Sequence, residues 1–385
     1  MTRQVLVLVL TVAAMAARGS GDRVDDPSLV VHEWGTFTSV VDERGFPVEW
    51  RPFDRPDDLP DFVYSARVDG RGVGPGASDR GLKPALRALV RLETPVVYFY
   101  GSAEREVSAS VSFPGGRLTE WYPSARSTPS RLDWEHVHVW PSGTPALPDE
   151  GGGSRYYAAR AADAAALTVE GSDGPQSEKF LFYRGVGRIA PPVLVALRGG
   201  DVVVSDYASA QVSEVVLFEN RGGAVRYLRR DKKGRQVSLR RDAGGGTMES
   251  LRQDLAALLV AHGLHPKEAA AMVETWGDSW FEEGLRVFYV VPTRVTEAAL
   301  PLTIDPAPSR TVRVLVARTE ILSPERLASL AEAVRRLPAG EVADGTARAL
   351  SLAHLGRFAE PGLRRLLGTD DARVPRDRIR RLLGD

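Results

Sequence analysis

Not one cysteine occurs among the 385 residues. That excludes disulfides, thiolate metal sites, cysteine nucleophiles and anchoring through a lipid-modified cysteine. A surplus of one charge is missing too, since Lys plus Arg and Asp plus Glu each total 50. A neutral chain has no overall field to gather nucleic acid or an anionic membrane, so no nucleic-acid partner is expected. Lysine is scarce, five residues against forty-five arginines. With the abundance of Ala and Gly this reads as base composition, so Arg229-Arg230 and Arg240-Arg241 are not taken as phosphate sites. No apolar run approaches the roughly 20 residues that a membrane-spanning helix needs.

What is there begins with an export signal. Arg3 supplies a positive start, Val5 to Val12 is apolar apart from Thr11, and Ala14-Met15-Ala16 fits a small-x-small cleavage pattern. Residues 1–16 are therefore expected to be removed, leaving a periplasmic or extracellular protein with no stable membrane span. Hydrophobic residues make up 43% of the chain, enough for substantial cores.

Val30 to Val41 reads as a strand, because β-branched and aromatic residues dominate it. A long Pro-, Gly- and Asp-rich stretch follows to about Pro84, and strand signals then crowd between Thr94 and Trp140, punctuated by Pro and Gly. Pro141 to Ser154 has linker composition. A second strand-rich set runs on from Lys179, with Asn220-Arg221-Gly222-Gly223 as a hairpin turn. Leu251, Leu255, Leu258 and Leu259 fall at helical spacing, with Gly263 as the C′ residue, and Pro266 opens a second helix. From Pro324 onward the pattern is helical. The fold class expected is α+β, β-rich with sandwich-like antiparallel sheets and a helical C-terminal segment. Its regions are 17–140, 155–322 with the inserted helix pair, and 323–385.

The densest chemistry lies in Asp133-Trp134-Glu135-His136-Val137-His138-Val139-Trp140. On a regular strand Trp134, His136, His138 and Trp140 share one face. Two imidazoles there suit zinc or another divalent metal, given a third ligand; the aromatic row equally suits a planar ligand such as a sugar. The plain alternative is a packed sheet face. His32-Glu33-Trp34 offers His32 as a third ligand or Glu33 as a base, against a simple hydrogen-bonding role. Glu93 and Glu120 stand in apolar strands and would act as an acid and base pair if their carboxyls lie about 5–10 Å apart. Trp121, next to Glu120, is a further candidate for ligand contact.

Thr275 to Gly284 concentrates aromatics and acids. If it is helical, Trp276 and Trp280 share one face and Asp278 and Glu282 another. Those two acids are candidate catalytic groups and the two tryptophans candidate ligand contacts, with a plain core role as the alternative. Gly277-Asp278-Ser279 lacks the preceding strand and the His partner of an esterase nucleophile block. Asp54, Asp57, Asp58 and Asp61 lack the Gly turn of a calcium loop. His262 and His265 flank a helix terminus and read as caps.

Three blocks, HEWGTFT from His32, LETPVVYFY from Leu92 and WGDSWFEEGLRVFYVVP from Trp276, together resemble a group of uncharacterised exported bacterial proteins; LGRFAEP from Leu355 resembles their C-terminal part. The resemblance spans most of the mature chain and implies one integrated architecture. It carries no activity, so no residue role follows from it. The leading expectation is a non-catalytic exported binding protein for glycan or another envelope component. A metal-dependent hydrolase using His136 and His138, completed by His32, Glu33 or Glu120, is the alternative. A structural or assembly protein of the envelope is the third.

Overall fold

The computed structural model describes residues 26–52, 59–66, 72–73, 86–143, 145–151, 153–172, 174–207, 211–338 and 345–385. The expected export signal at 1–16 and the loop acids Asp54, Asp57 and Asp58 lie outside the described residues.

In chain order the strands are β1 (Asp26–Asp42), β2 (Tyr64–Ala66), β3 (Gly72–Val73), β4 (Val90–Tyr100), β5 (Arg105–Ser112), β6 (Gly116–Tyr122), β7 (Arg126–Thr128), β8 (Arg131–Trp140), β9 (Ala166–Gly171), β10 (Gly174–Glu178), β11 (Leu181–Gly187), β12 (Val193–Arg198), β13 (Asp201–Asp206), β14 (Glu214–Arg221), β15 (Ala224–Asp231), β16 (Gln236–Leu239), β17 (Gly284–Val290), β18 (Leu302–Asp305) and β19 (Pro308–Leu322). The helices are α1 (Met248–Ala261), α2 (Pro266–Thr275), α3 (Thr293–Ala299), α4 (Pro324–Arg336), α5 (Gly345–Leu355), α6 (Ala359–Leu367) and α7 (Arg376–Leu383). The protein is thus a β-rich α+β fold with helices toward its C-terminus.

The largest sheet has the order β15-β14-β17-β19-β1-β4-β11-β6-β2-β3. A second runs β10-β9-β8-β5-β18, with β7 paired to β8, and a third runs β12-β13-β16. Both larger sheets take strands from each side of 141–154, so that stretch separates no sheet. The expected antiparallel pattern has one exception among the described strands: β1 and β19 pair in parallel at the middle of the large sheet. The 265 residues between them include strands on both flanks of that pair, so the sheet cannot close until the far end of the chain arrives.

β1 is apolar and β-branched because it is covered on both faces, and Leu29, Val31 and Trp34 are fully buried. Opposite it, β4 carries one extra residue between Val96 and Glu93. Thr94 there adopts a φ of 46°, and Pro95 swings against Gly35, where a Cβ would sit 3.0 Å from the Pro95 Cα. A side chain at position 35 would push that bulge off the strand.

α1 and α2 share the core of the large sheet, and the start of α2 meets β1 at His32. Thr247 caps α1 by accepting from the Ser250 N–H, and Gly263 follows it with a φ of 108°. One continuous core joins the three sheets, α1 and α2. The C-terminal helices build a second core around Leu327, Leu330, Val334, Leu363 and Ile379, joined to the sheet through Val40, Trp50 and Leu322.

Candidate functional site

Alternate residues of β1 point to opposite faces of the sheet. On one face His32 meets the start of α2. Its Nδ1 donates to Glu268 Oε2 at 2.8 Å, with His32 2% and Glu268 0% exposed. The His265 backbone N–H donates to the same oxygen at 2.7 Å, and the Tyr100 hydroxyl donates to Oε1 at 2.8 Å. Three donors thus converge on one buried carboxylate. Burial and then the Glu268 charge push the Tyr100 phenol well above its ordinary value, so Tyr100 remains a donor.

His265 completes the group from the N-cap position of α2, exposed to solvent, its ring stacked on His32 at 4.7 Å and edge-on to Tyr100 at 5.0 Å. One ligand atom from each of His32, His265 and Glu268 lies within 4.8 Å of the others, the only such His/Asp/Glu trio among the described residues. Two imidazoles and a carboxylate are the donor set of open, water-bearing zinc sites and of ferrous facial triads. The local reason for the geometry is ordinary. Glu268 is the third residue of a Pro-led helix, where a carboxylate folds back onto the N-cap amide.

On the other face of β1, Glu33 is fully buried. Arg313 Nε donates to its Oε2 at 2.6 Å and the Tyr183 hydroxyl to its Oε1 at 2.5 Å. His32 and Glu33 therefore serve different faces, and Glu33 is no base beside His32.

His136 and His138 stand on β8 of the second sheet and are not part of this cluster. β8 carries an extra residue opposite β5, with His136 at a φ of 54°. The bulge reverses the alternation expected from the sequence. Trp134, Val137 and Val139 are buried together, while His136 is exposed and His138 and Trp140 are half-buried. A row of Trp134, His136, His138 and Trp140 on one face does not exist. Trp134 instead donates its indole N–H to the Pro123 carbonyl at 3.0 Å. His136 Nδ1 pairs with Glu106 Oε1 at 2.8 Å, and that bond and charge raise its pKa above the usual imidazole value. His138 packs on Trp140, ring centroids 4.0 Å apart, and Trp140 donates to the Thr168 hydroxyl.

Glu120 is fully buried and accepts from the Thr119 hydroxyl at 2.5 Å. It does not neighbour Glu93, because β11 runs between β4 and β6 and places Arg184 opposite Glu120. Glu93 is paired with Arg91 and, from the C-terminal segment, with Arg357. Trp121 is buried and stacks on Tyr64 at 6.2 Å. The segment after α2 is a series of turns rather than a helix. Trp276 and Trp280 are 2% and 0% exposed, Glu282 accepts from Arg318 Nη2 at 2.9 Å, and Asp278 is exposed and paired with Arg155 at 2.7 Å. These four residues do not form one site.

Sequence reasoning named His32 but read His265 only as a cap and passed over Glu268. The His-Pro-Lys-Glu helix start was a visible signal; its meeting with a strand 236 residues earlier was not. Set against models of known protein families and against curated proteins, the chain matches none.

Proposed function

We propose that this chain is an exported protein that holds a zinc-class divalent cation at His32, His265 and Glu268, in a site open enough to activate water for hydrolysis. The observation that supports it is the convergence of two imidazoles and a carboxylate within 4.8 Å. Closed structural sites use four protein ligands, whereas three ligands with one exposed histidine leave a position for water. Tyr100 and the His265 amide would orient the carboxylate from behind, as outer-shell partners of metal ligands do. A cation entering here displaces the proton between His32 and Glu268, so binding releases that proton.

Equilibrium dialysis of the mature protein with zinc tests the reading. About one equivalent should bind, the His32→Ala/Glu268→Gln variant should lose it, and the His136→Ala/His138→Ala variant should keep it. Loss in the second variant alone, or no zinc bound by the wild type, overturns it.

A glycan-binding reading is also supported, on narrower ground than the sequence suggested. With Trp134 inside, it rests on the half-buried His138–Trp140 pair, its rings tilted by 39°, beside the hydroxyls of Thr168 and Ser177, which lie 3.1 Å apart. Retention on cell-wall glycan by the wild type and not by Trp140→Ala is the expected outcome; equal retention sinks it.

A further inference from the structure

On the face of β1 that meets α2, Val312, His32 and Tyr98 stand side by side on β19, β1 and β4. Two residues along each strand, Arg310, Val30 and Tyr100 form the next row of that face. The first row is buried, whereas Arg310 is exposed and Val30 and Tyr100 are half-buried. The second row is therefore the margin at which the covered face meets solvent. The Arg310 guanidinium reaches the loop between α1 and α2, where a Cβ on Gly263 would sit 3.8 Å from Nη2. His265, the exposed member of the His32, His265 and Glu268 trio, follows two residues later and packs edge-on to Tyr100 at 5.0 Å. Arg310 and Tyr100 thus flank Val30, with His265 on the Tyr100 side.

The charges around this margin are unevenly paired. Lys267 Nζ donates to Asp163 Oδ1 at 2.6 Å, while Lys179 Nζ donates to the neutral Ala162 carbonyl at 2.9 Å. The Lys267 hydrogen bond holds the Asp163 carboxyl below the usual carboxylate range, and Lys179 and His265 add to that from nearby. Asp163 is thereby taken by Lys267, and Glu268 is taken by its three donors. Arg310 has no hydrogen-bond or ion-pair partner among the described residues. A guanidinium left open beside a candidate cation site is free to meet a ligand.

A ligand that joins the cation to Arg310 bridges two positive centres and must be anionic. A carboxylate that gives one oxygen to the cation has a single oxygen left for Arg310. A phosphate monoester has three terminal oxygens, one for the cation and two for the guanidinium fork, which matches phosphate bidentately.

We infer that the substrate of this site is a phosphate monoester, held with one oxygen on the cation and two on Arg310. The inference rests on the cation proposed at His32, His265 and Glu268. Hydrolysis so placed forms a bond from the water oxygen to phosphorus and breaks the bond from phosphorus to the ester oxygen. The ester oxygen keeps the electron pair and takes a proton from the water, giving an alcohol and inorganic phosphate with no further reactant.

Zinc content of each protein, measured first, separates this inference from the metal reading. Isothermal titration of the zinc-loaded mature protein with inorganic phosphate and with acetate then tests it. Phosphate should bind saturably at one site, with acetate at least about tenfold weaker. Arg310→Met should keep one equivalent of zinc and weaken phosphate at least about tenfold. Arg310→Lys, which keeps the charge and loses the fork, should fall between that variant and the wild type. The zinc-loaded wild type should release phosphate from phenyl phosphate, and Arg310→Met should raise KM more than it lowers kcat. A wild type that holds no zinc overturns both the metal reading and this inference. Zinc held without saturable phosphate binding or without phosphate release overturns this inference alone. Phosphate bound as tightly by Arg310→Met, or acetate bound as tightly as phosphate, does the same.

Discussion

Glu33 and Arg313 stand directly opposite each other on the one parallel strand pair among the described strands, and Arg313 Nε donates to Glu33 Oε2 at 2.6 Å with both side chains buried. Arg313 also donates to the Leu300 carbonyl at 2.7 Å, and Tyr183 supplies the second donor to Glu33. The pair thus ties residues 280 positions apart at the seam where the two ends of the chain meet.

Removing one partner should cost more than removing both. Glu33→Gln leaves a buried guanidinium without its counter-charge and should destabilise the fold by about 3–5 kcal/mol. Glu33→Leu with Arg313→Leu should cost clearly less than the sum of the two single changes. Urea unfolding of the wild type, Glu33→Gln, the two single Leu variants and the double variant measures this, and additive costs would show that the pair is uncoupled.

Glu268→Ala strips the acceptor from three buried or half-buried donors at once. Each orphaned donor carries a penalty of about 1–3 kcal/mol where water cannot reach it. The exposed side of the cluster relieves part of that, so a loss of about 3 kcal/mol is expected in urea. Glu268→Gln, which keeps one acceptor oxygen, should lose less. Equal losses would show that the helix cap, and not the cluster, is what the carboxylate serves.

Thr94 combines a β-branched side chain with a φ of 46°, a conformation that costs of order 1 kcal/mol for such a residue. Its hydroxyl accepts from Arg184 Nε and Nη2 at 3.3 and 3.1 Å, which repays that strain. Thr94→Ala and Thr94→Gly both lose the arginine contact, but only glycine removes the backbone cost. Thr94→Gly should therefore be about 1 kcal/mol more stable than Thr94→Ala by thermal or urea unfolding. The reverse order would mean that residue 94 relaxes out of the left-handed region once its hydroxyl is gone.

His136 should titrate above the ordinary imidazole value in an NMR pH series, because Glu106 holds its protonated form. Glu106→Gln should bring it back toward that value. The folded-state pKa is raised, so the pair's contribution to stability is fully present below the unfolded pKa. It is lost as pH rises through the folded one. Both groups are exposed, so the effect belongs in the chemical shifts rather than in the melting temperature. A His136 that titrates alike in both proteins would contradict the contact.

Local chemistry was legible along the chain. The β-branched run of β1 became a strand; Thr247, Gly263 and Pro266 bracketed α1 and α2; and the turn at Asn220 to Gly223 joined β14 to β15. Each rests on forces that act within a few residues, such as dihedral preference, capping and the period of apolar side chains. The partition of strands among sheets was not legible, because β1 finds its neighbour β19 only after all the intervening strands have been placed.

The candidate site divides along the same line. Sequence alone determined which residue types were available: six histidines, no thiol, and acids set within apolar strands. Tertiary structure decided which of them meet. A single inserted residue at the β8 bulge turned Trp134 inward and separated it from His136, since strand faces alternate with a period of two. The start of α2 carried Glu268 and His265 onto His32 of β1. Residue identity is written one position at a time, but convergence depends on register and packing summed over the whole chain.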